Sequence, residues 1–136
     1  MICLDTNAVI ASINRRIPTV RSRLEAALAK AEIVGISTIV LFELRFGIAK
    51  SARPEENSAV LAAFLTLDVV QWPFEAEDAQ EAGEIRAELE RVGTSIGPYD
   101  VLIAAQARRR DAVLVTANTR EFIRVPELKV QDWAAA

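Results

Sequence analysis

The 136-residue chain carries a net charge of −3; apolar residues make up 51% of it and charged residues 26%, with only five glycines and five prolines. That is the composition of a folded globular chain long enough to bury a core, and it excludes disordered and fibrous classes. Histidine is absent and Cys3 is the only cysteine, which removes Ser-His and Cys-His catalysis, an internal disulfide and, in practice, a structural zinc site.

In chain order, Ile2-Cys3-Leu4 reads as a buried first strand ending at Asp5, with Cys3 in the core. Asp5-Thr6-Asn7 then offers turn and N-cap chemistry before the apolar Ala8-Val9-Ile10. Pro18-Thr19 caps a helix from Val20 to about Lys30, and Ile33 to Ile36 reads as a second buried strand. Ser37 is a good N-cap for a helix to about Lys50; Pro54 starts another through Leu67. Val69 to Trp72 is a third strand, ended by Pro73, and a long acidic helix runs from about Ala76 to Arg91, closed by Gly93. Pro98 opens a helix to about Arg110; Ala112 to Val115 is a strand, Asn118 to Phe122 one helical turn, and Leu128 to Val130 a short edge strand.

Strands alternating with helices predict right-handed βαβ units: an α/β fold with a mostly parallel sheet covered on both faces. No repeat, linker or low-complexity tract divides the chain, so residues 1–136 read as one domain. No apolar run approaches the roughly 18 residues that span a membrane, and no secretory leader opens the chain. With the lone cysteine, this points to a cytoplasmic protein.

Without histidine, acid–base or metal chemistry must rest on carboxylates, which favour hard cations such as Mg²⁺ or Mn²⁺. Ligands of open α/β sheets bind beyond the carboxyl ends of the strands, and Asp5 stands at such an end. Glu43 lies about two turns into the helix that Ser37 caps, on an apolar face with Val40, Leu44 and Gly47. Neither Arg45 nor Lys50 is placed on its helix to pair with it. Asp100 sits in the first turn after Pro98, on a face shared with Ile103, Ala104 and Ala107. Converging carboxylates repel and raise one another's pKa, and a divalent ion reverses that. Each acid also admits a plainer role: Asp5 as an N-cap, Asp100 as a helix-start acid, Glu43 as the partner of a distant arginine.

Four ordered blocks carry a family likeness: Ile2 to Asn7, Ser37 to Leu44, Gly97-Pro98-Tyr99-Asp100, and Val115 to Phe122. With the tail from Arg124-Val125-Pro126 to Asp132-Trp133, they span essentially the whole chain, which resembles PIN-domain ribonucleases, specifically the VapC toxins of bacterial toxin–antitoxin pairs. The resemblance implies a three-layer α/β/α sandwich, Mg²⁺- or Mn²⁺-dependent cleavage of RNA, homodimers, and inhibition by a cognate VapB-like antitoxin. On that mapping Asp5, Glu43 and Asp100 form the acidic triad, with Asp5 and Asp100 as direct metal ligands and Glu43 steering water or a weaker second ion. Asn118 stands where many PIN domains have a fourth acid, which favours one tightly bound ion over two. Glu121 could supply the missing charge or could simply be solvated. Thr6 and Thr116 could orient carboxylates or a phosphate, or serve only as caps.

RNA must be held near acids by cations. Arg15-Arg16, Arg21, Arg23, Arg45, Lys50, Arg53 and Arg108-Arg109-Arg110 are the candidates, of which a few are expected to serve. The apolar run Ala59 to Leu65 offers both core and a surface for a dimer or antitoxin contact. Two other readings remain. One is a silent module whose acids dock a basic antitoxin residue. The other is a haloacid-dehalogenase-type phosphatase, which wants an Asp where Asn7 stands.

Overall fold

The computed structural model describes residues 1–134. Five strands form one wholly parallel sheet: β1 (Ile2–Leu4), β2 (Val34–Ser37), β3 (Val69–Trp72), β4 (Val113–Val115) and β5 (Lys129–Gln131), ordered β3-β2-β1-β4-β5. The central β1 and β2 are buried at every residue, which is why they read as short continuous apolar runs and not as alternating ones. β3 and β5 are the edges and expose residues accordingly.

Seven helices connect the strands. α1 (Thr6–Asn14) and α2 (Pro18–Ala29) follow β1, and α3 (Thr38–Ala49) and α4 (Pro54–Phe64) follow β2. α5 (Ala76–Arg91) and α6 (Pro98–Arg109) follow β3, and the single turn α7 (Thr119–Phe122) follows β4. The chain steps outward from β1 to β3 and then returns across β1 to β4. Right-handed crossovers therefore place α1 to α4 on one face and α5 to α7 on the other, giving the α/β/α layering. One hydrophobic core runs through all layers, from Cys3, Val9 and Leu24 to Ile85, Ile103, Leu114 and Phe122. No helix among the described residues is long and apolar enough to cross a membrane.

The differences from the sequence reading are local. β2 takes in Ser37 and leaves Ile33 outside, because Ile33 is 52% exposed while Ser37 is buried at the strand end and also caps α3. α4 stops at Phe64, three residues short of the expected Leu67, where Leu65, Thr66 and Leu67 turn into β3. The cap chemistry at Asp5 opens a full helix, which ends with Arg15 in the left-handed region (φ 55°).

Candidate active site

The direction of winding reverses between β1 and β4, and the crevice beyond that point is where an open α/β sheet places a ligand. Asp5 leaves β1 there, its N–H donating to the Val115 carbonyl of β4 at 3.1 Å. Its carboxylate accepts from the Ala8 N–H (2.8 Å) and so caps α1, while the residue stays 6% exposed. The cap is real, and it restrains the carboxylate at the sheet edge. Burial pushes the Asp5 carboxyl up from its ordinary range; the Thr116 hydroxyl and the Ala8 N–H oppose this, and Glu43 and Asp132 reinforce it.

Glu43 comes from the opposite wall. Ser37 accepts from the Ile39 N–H at 2.8 Å, so α3 starts at the same sheet edge and carries Glu43 over it. The Thr6 hydroxyl donates to Glu43 Oε1 at 2.7 Å. No arginine of its own helix does so: Arg45 reaches Ser58, and Lys50 lies over the Phe46 ring.

Asp100 enters from α6. Gly97 is its N-cap and Pro98 its first residue, which puts Asp100 in the first turn, where the helix favours an anion. A Cβ on Gly97 would lie 3.1 Å from Asp100 Oδ2, so the carboxylate rests directly against the glycine backbone. Burial, then the charges of Glu121, Glu43 and Asp5, drive the Asp100 carboxyl from 3.8 to about 6. Thr116, 1% exposed, accepts from the Asn118 N–H at 2.9 Å. Asn118 in turn donates from Nδ2 to Glu121 Oε2 at 2.7 Å.

Asp5, Thr6, Asn7, Glu43, Asp100 and Asn118 line one cleft of ≈150 Å³, floored by Ile103 and Phe122. The sequence reading did not place Asn7 as a wall or Ile103 and Phe122 as the floor. Asn7 follows Asp5 by two residues and could have been flagged; the apolar floor carries no local signal. Glu121 does not line the cleft, and both its oxygens are taken, so its carboxylate lies below the ordinary range, held there by the Asn118 amide and the Gly97 N–H.

The cleft fits a hard divalent cation by its donor set: oxygen ligands only, with three acids whose charges oppose one another. Among the described residues, no three acidic or cysteine side chains yet close on a single point. The acids therefore surround the space without enclosing it.

The basic run Arg108-Arg109-Arg110 is placed elsewhere. Arg109 Nε and Arg110 Nη1 hold the fully buried Asp78 at 2.6 and 3.1 Å, and Arg108 Nε holds Glu81 at 2.7 Å. These arginines bind α6 to α5 and so serve the fold. No arginine or lysine lines the acidic cleft.

A family model for the PIN domain matches residues 2–128. A tRNA(fMet)-specific endonuclease VapC of Shigella flexneri is 42% identical, the match covering 96% of each chain. A ribonuclease VapC2 of Rickettsia felis is 41% identical over the same shares. The crystal structure of VapBC2 from Rickettsia felis, bound to a DNA fragment from their promoter, superposes with a TM-score of 0.91 at 40% identity, covering 98% of this chain and 99% of that one. PIN-domain ribonucleases in general depend on a divalent metal. With the fold, the switch-point cleft and full-length similarity in agreement, the chain belongs to the PIN-domain family, among its VapC nucleases.

Proposed function

We propose that the chain, acting as one catalytic domain over residues 1–136, is a Mg²⁺- or Mn²⁺-dependent endoribonuclease and the toxin of a toxin–antitoxin pair. The observation that carries this reading is the convergence of Asp5, Glu43 and Asp100 on one cleft, where burial first, and then the charges of Glu121, Glu43 and Asp5, raise the Asp100 carboxyl to about 6. Such mutual repulsion is a cost to the fold unless a cation relieves it. Asp5 and Asp100 would hold the ion. When bound, the ion would make a water more acidic and stabilise charge on the phosphate under attack. Glu43, to which the Thr6 hydroxyl donates, would align an attacking water and take up its proton. Asn118 adds an uncharged acceptor, and a single tightly held ion suits three acids better than two ions would. Attack by water with the 3′-oxygen as leaving group would give a 5′-phosphate and a 3′-hydroxyl, with no need for the imidazole pair this chain lacks.

A VapB-like antitoxin belongs to the same proposal. Beside the cleft, α1, α3 and α4 enclose an apolar groove of ≈360 Å³ that includes Ile10, Ile13, Leu44, Ile48, Val60 and Leu61 and runs up to Glu43. Val60 is 46% exposed while Leu61 and Phe64 are buried, so the Ala59 to Leu65 run serves both core and groove. An apolar segment ending in a basic side chain fits this groove and would cover the acids. Homodimers and a cytoplasmic location are part of the reading.

The experiment is RNA cleavage by the purified chain with Mg²⁺, Mn²⁺ or EDTA, beside hydrolysis of a phosphomonoester. Metal-dependent RNA cleavage that EDTA stops is the expected result. Phosphomonoester hydrolysis alone would favour the phosphatase reading, and neither activity a silent binding module.

A further inference from the structure

We propose that Glu121 is a positioning residue for the cleavage reaction: its carboxylate clasps two loops together and so fixes how Asp100 and Asn118 face the cleft. This rests on the nuclease reading above. Glu121 Oε1 accepts from the Gly97 N–H at 2.8 Å, and Oε2 accepts from Asn118 Nδ2 at 2.7 Å. The first bond joins residues 24 positions apart, connecting the turn after β4 to the loop that launches α6. Gly97 is the N-cap of α6, and the Asp100 carboxylate lies against it, 3.1 Å from where a Cβ would stand. Any shift of Gly97 therefore carries Asp100 with it. Arg124 Nη1 donates to the Ser95 carbonyl at 3.0 Å and pins the same loop a second time.

The Asn118 side chain is held just as firmly. Its backbone N–H is bound by Thr116, and its NH₂ is drawn to Glu121, because the Oδ1 atom would meet like charge there. The amide can then turn only Oδ1 to the cleft that Asn118 lines. An acceptor is the useful end toward the attacking water, whereas an NH₂ group there would hold that water in the wrong orientation. Glu121 itself does not line the cleft, and both its oxygens already carry donors. It acts through Gly97 and Asn118, which differs from both roles the sequence left open, a supplied ligand charge and a solvated side chain.

A side-chain swap tests this in the full chain. Glu121→Gln forces the Asn118 amide to reverse, and Asn118→Asp sets two carboxylates face to face. Each alone should lower kcat by about tenfold or more with KM within about twofold of the parent, and Glu121→Gln, which leaves every cleft-lining residue in place, should also keep the half-saturating Mg²⁺ or Mn²⁺ concentration within about twofold. The double variant Glu121→Gln/Asn118→Asp restores both hydrogen bonds, since the introduced amide accepts from Gly97 and donates to the introduced carboxylate. It should cleave at least about threefold faster than either single variant. A rise of about tenfold in the metal requirement of Glu121→Gln, without rescue in the double variant, would make Glu121 a direct ligand and overturn the proposal. Parental activity in both single variants would overturn it too. Hydrogen exchange of the Gly97 amide, read in metal-free protein, tests the clasp even where no cleavage is seen. Glu121→Ala should speed that exchange by about tenfold or more, and unchanged exchange would refute the clasp.

Discussion

At the scale of single residues, the site depends on how few atoms hold each carboxylate. Glu43 has one side-chain donor, the Thr6 hydroxyl. Thr6→Val keeps the volume and removes the donor, so kcat should fall by about tenfold while the melting temperature of the metal-free chain stays nearly unchanged. Steady-state kinetics beside a thermal melt separates the two. Asp100 sets a pH dependence. Its folded-state carboxyl titrates near 6, above the ordinary 3.8, so between those values the folded chain holds more protons than the unfolded one. Metal-free stability therefore falls as pH rises through this window, and ion binding must displace that proton. Metal affinity measured by calorimetry should weaken by up to about tenfold per pH unit below about pH 6 and level off above it. Affinity unchanged between about pH 5 and pH 7 would remove Asp100 from the ligand set. Asp5, Glu43 and Asp100 were legible in the sequence because each interrupts or ends an apolar stretch. Glu121 was visible only as an acid one turn past Asn118; its bond to Gly97 joins segments that no local pattern relates.

Among the elements, the α5–α6 pair shows most clearly what the sequence concealed. Arg108-Arg109-Arg110 resembles a solvated basic run, yet its arginines close on Glu75, Asp78 and Glu81 across the helix pair. Asp78 also accepts from the Glu75 N–H at 2.8 Å and completes a capping box at the start of α5. Burial alone would raise the Asp78 carboxyl, but the Glu75 N–H, Arg109 and Arg110 outweigh it and hold the group below its ordinary value. Its stabilisation is thus present above about pH 4 and lost as the pH falls through the depressed value. Asp78→Ala strands two arginines and should cost about 3 kcal/mol at neutral pH, read by urea unfolding, with the deficit shrinking in acid. A deficit that is the same at about pH 3 and pH 7 would contradict this account. Gly35 gives a second example. A Cβ there would meet the Trp72 ring at 2.7 Å, so β2 needs glycine to let the neighbouring strand's indole cross it. Nothing in the run Ile33 to Ile36 announces that need.

For the whole molecule, alternation of strands and helices was enough to give a parallel α/β sheet, and the four family blocks narrowed it to the PIN sandwich. Strand order was not legible, because pairing between β1 and β4 joins residues over a hundred positions apart through side chains of no distinctive type. That pairing places the switch point, and the switch point brings Asp5, Glu43 and Asp100 from three separate segments to one cleft. The most direct test of the central claim is to measure RNA cleavage and metal-induced thermal stabilisation together, for the parent and for Asp100→Asn. Asp100→Asn should abolish metal-dependent cleavage and lose the stabilisation that Mg²⁺ or Mn²⁺ gives the parent. Its metal-free stability at about pH 8 should equal the parent's or exceed it by on the order of 1 kcal/mol. Parental cleavage by Asp100→Asn, or an undiminished metal-induced shift, would contradict it.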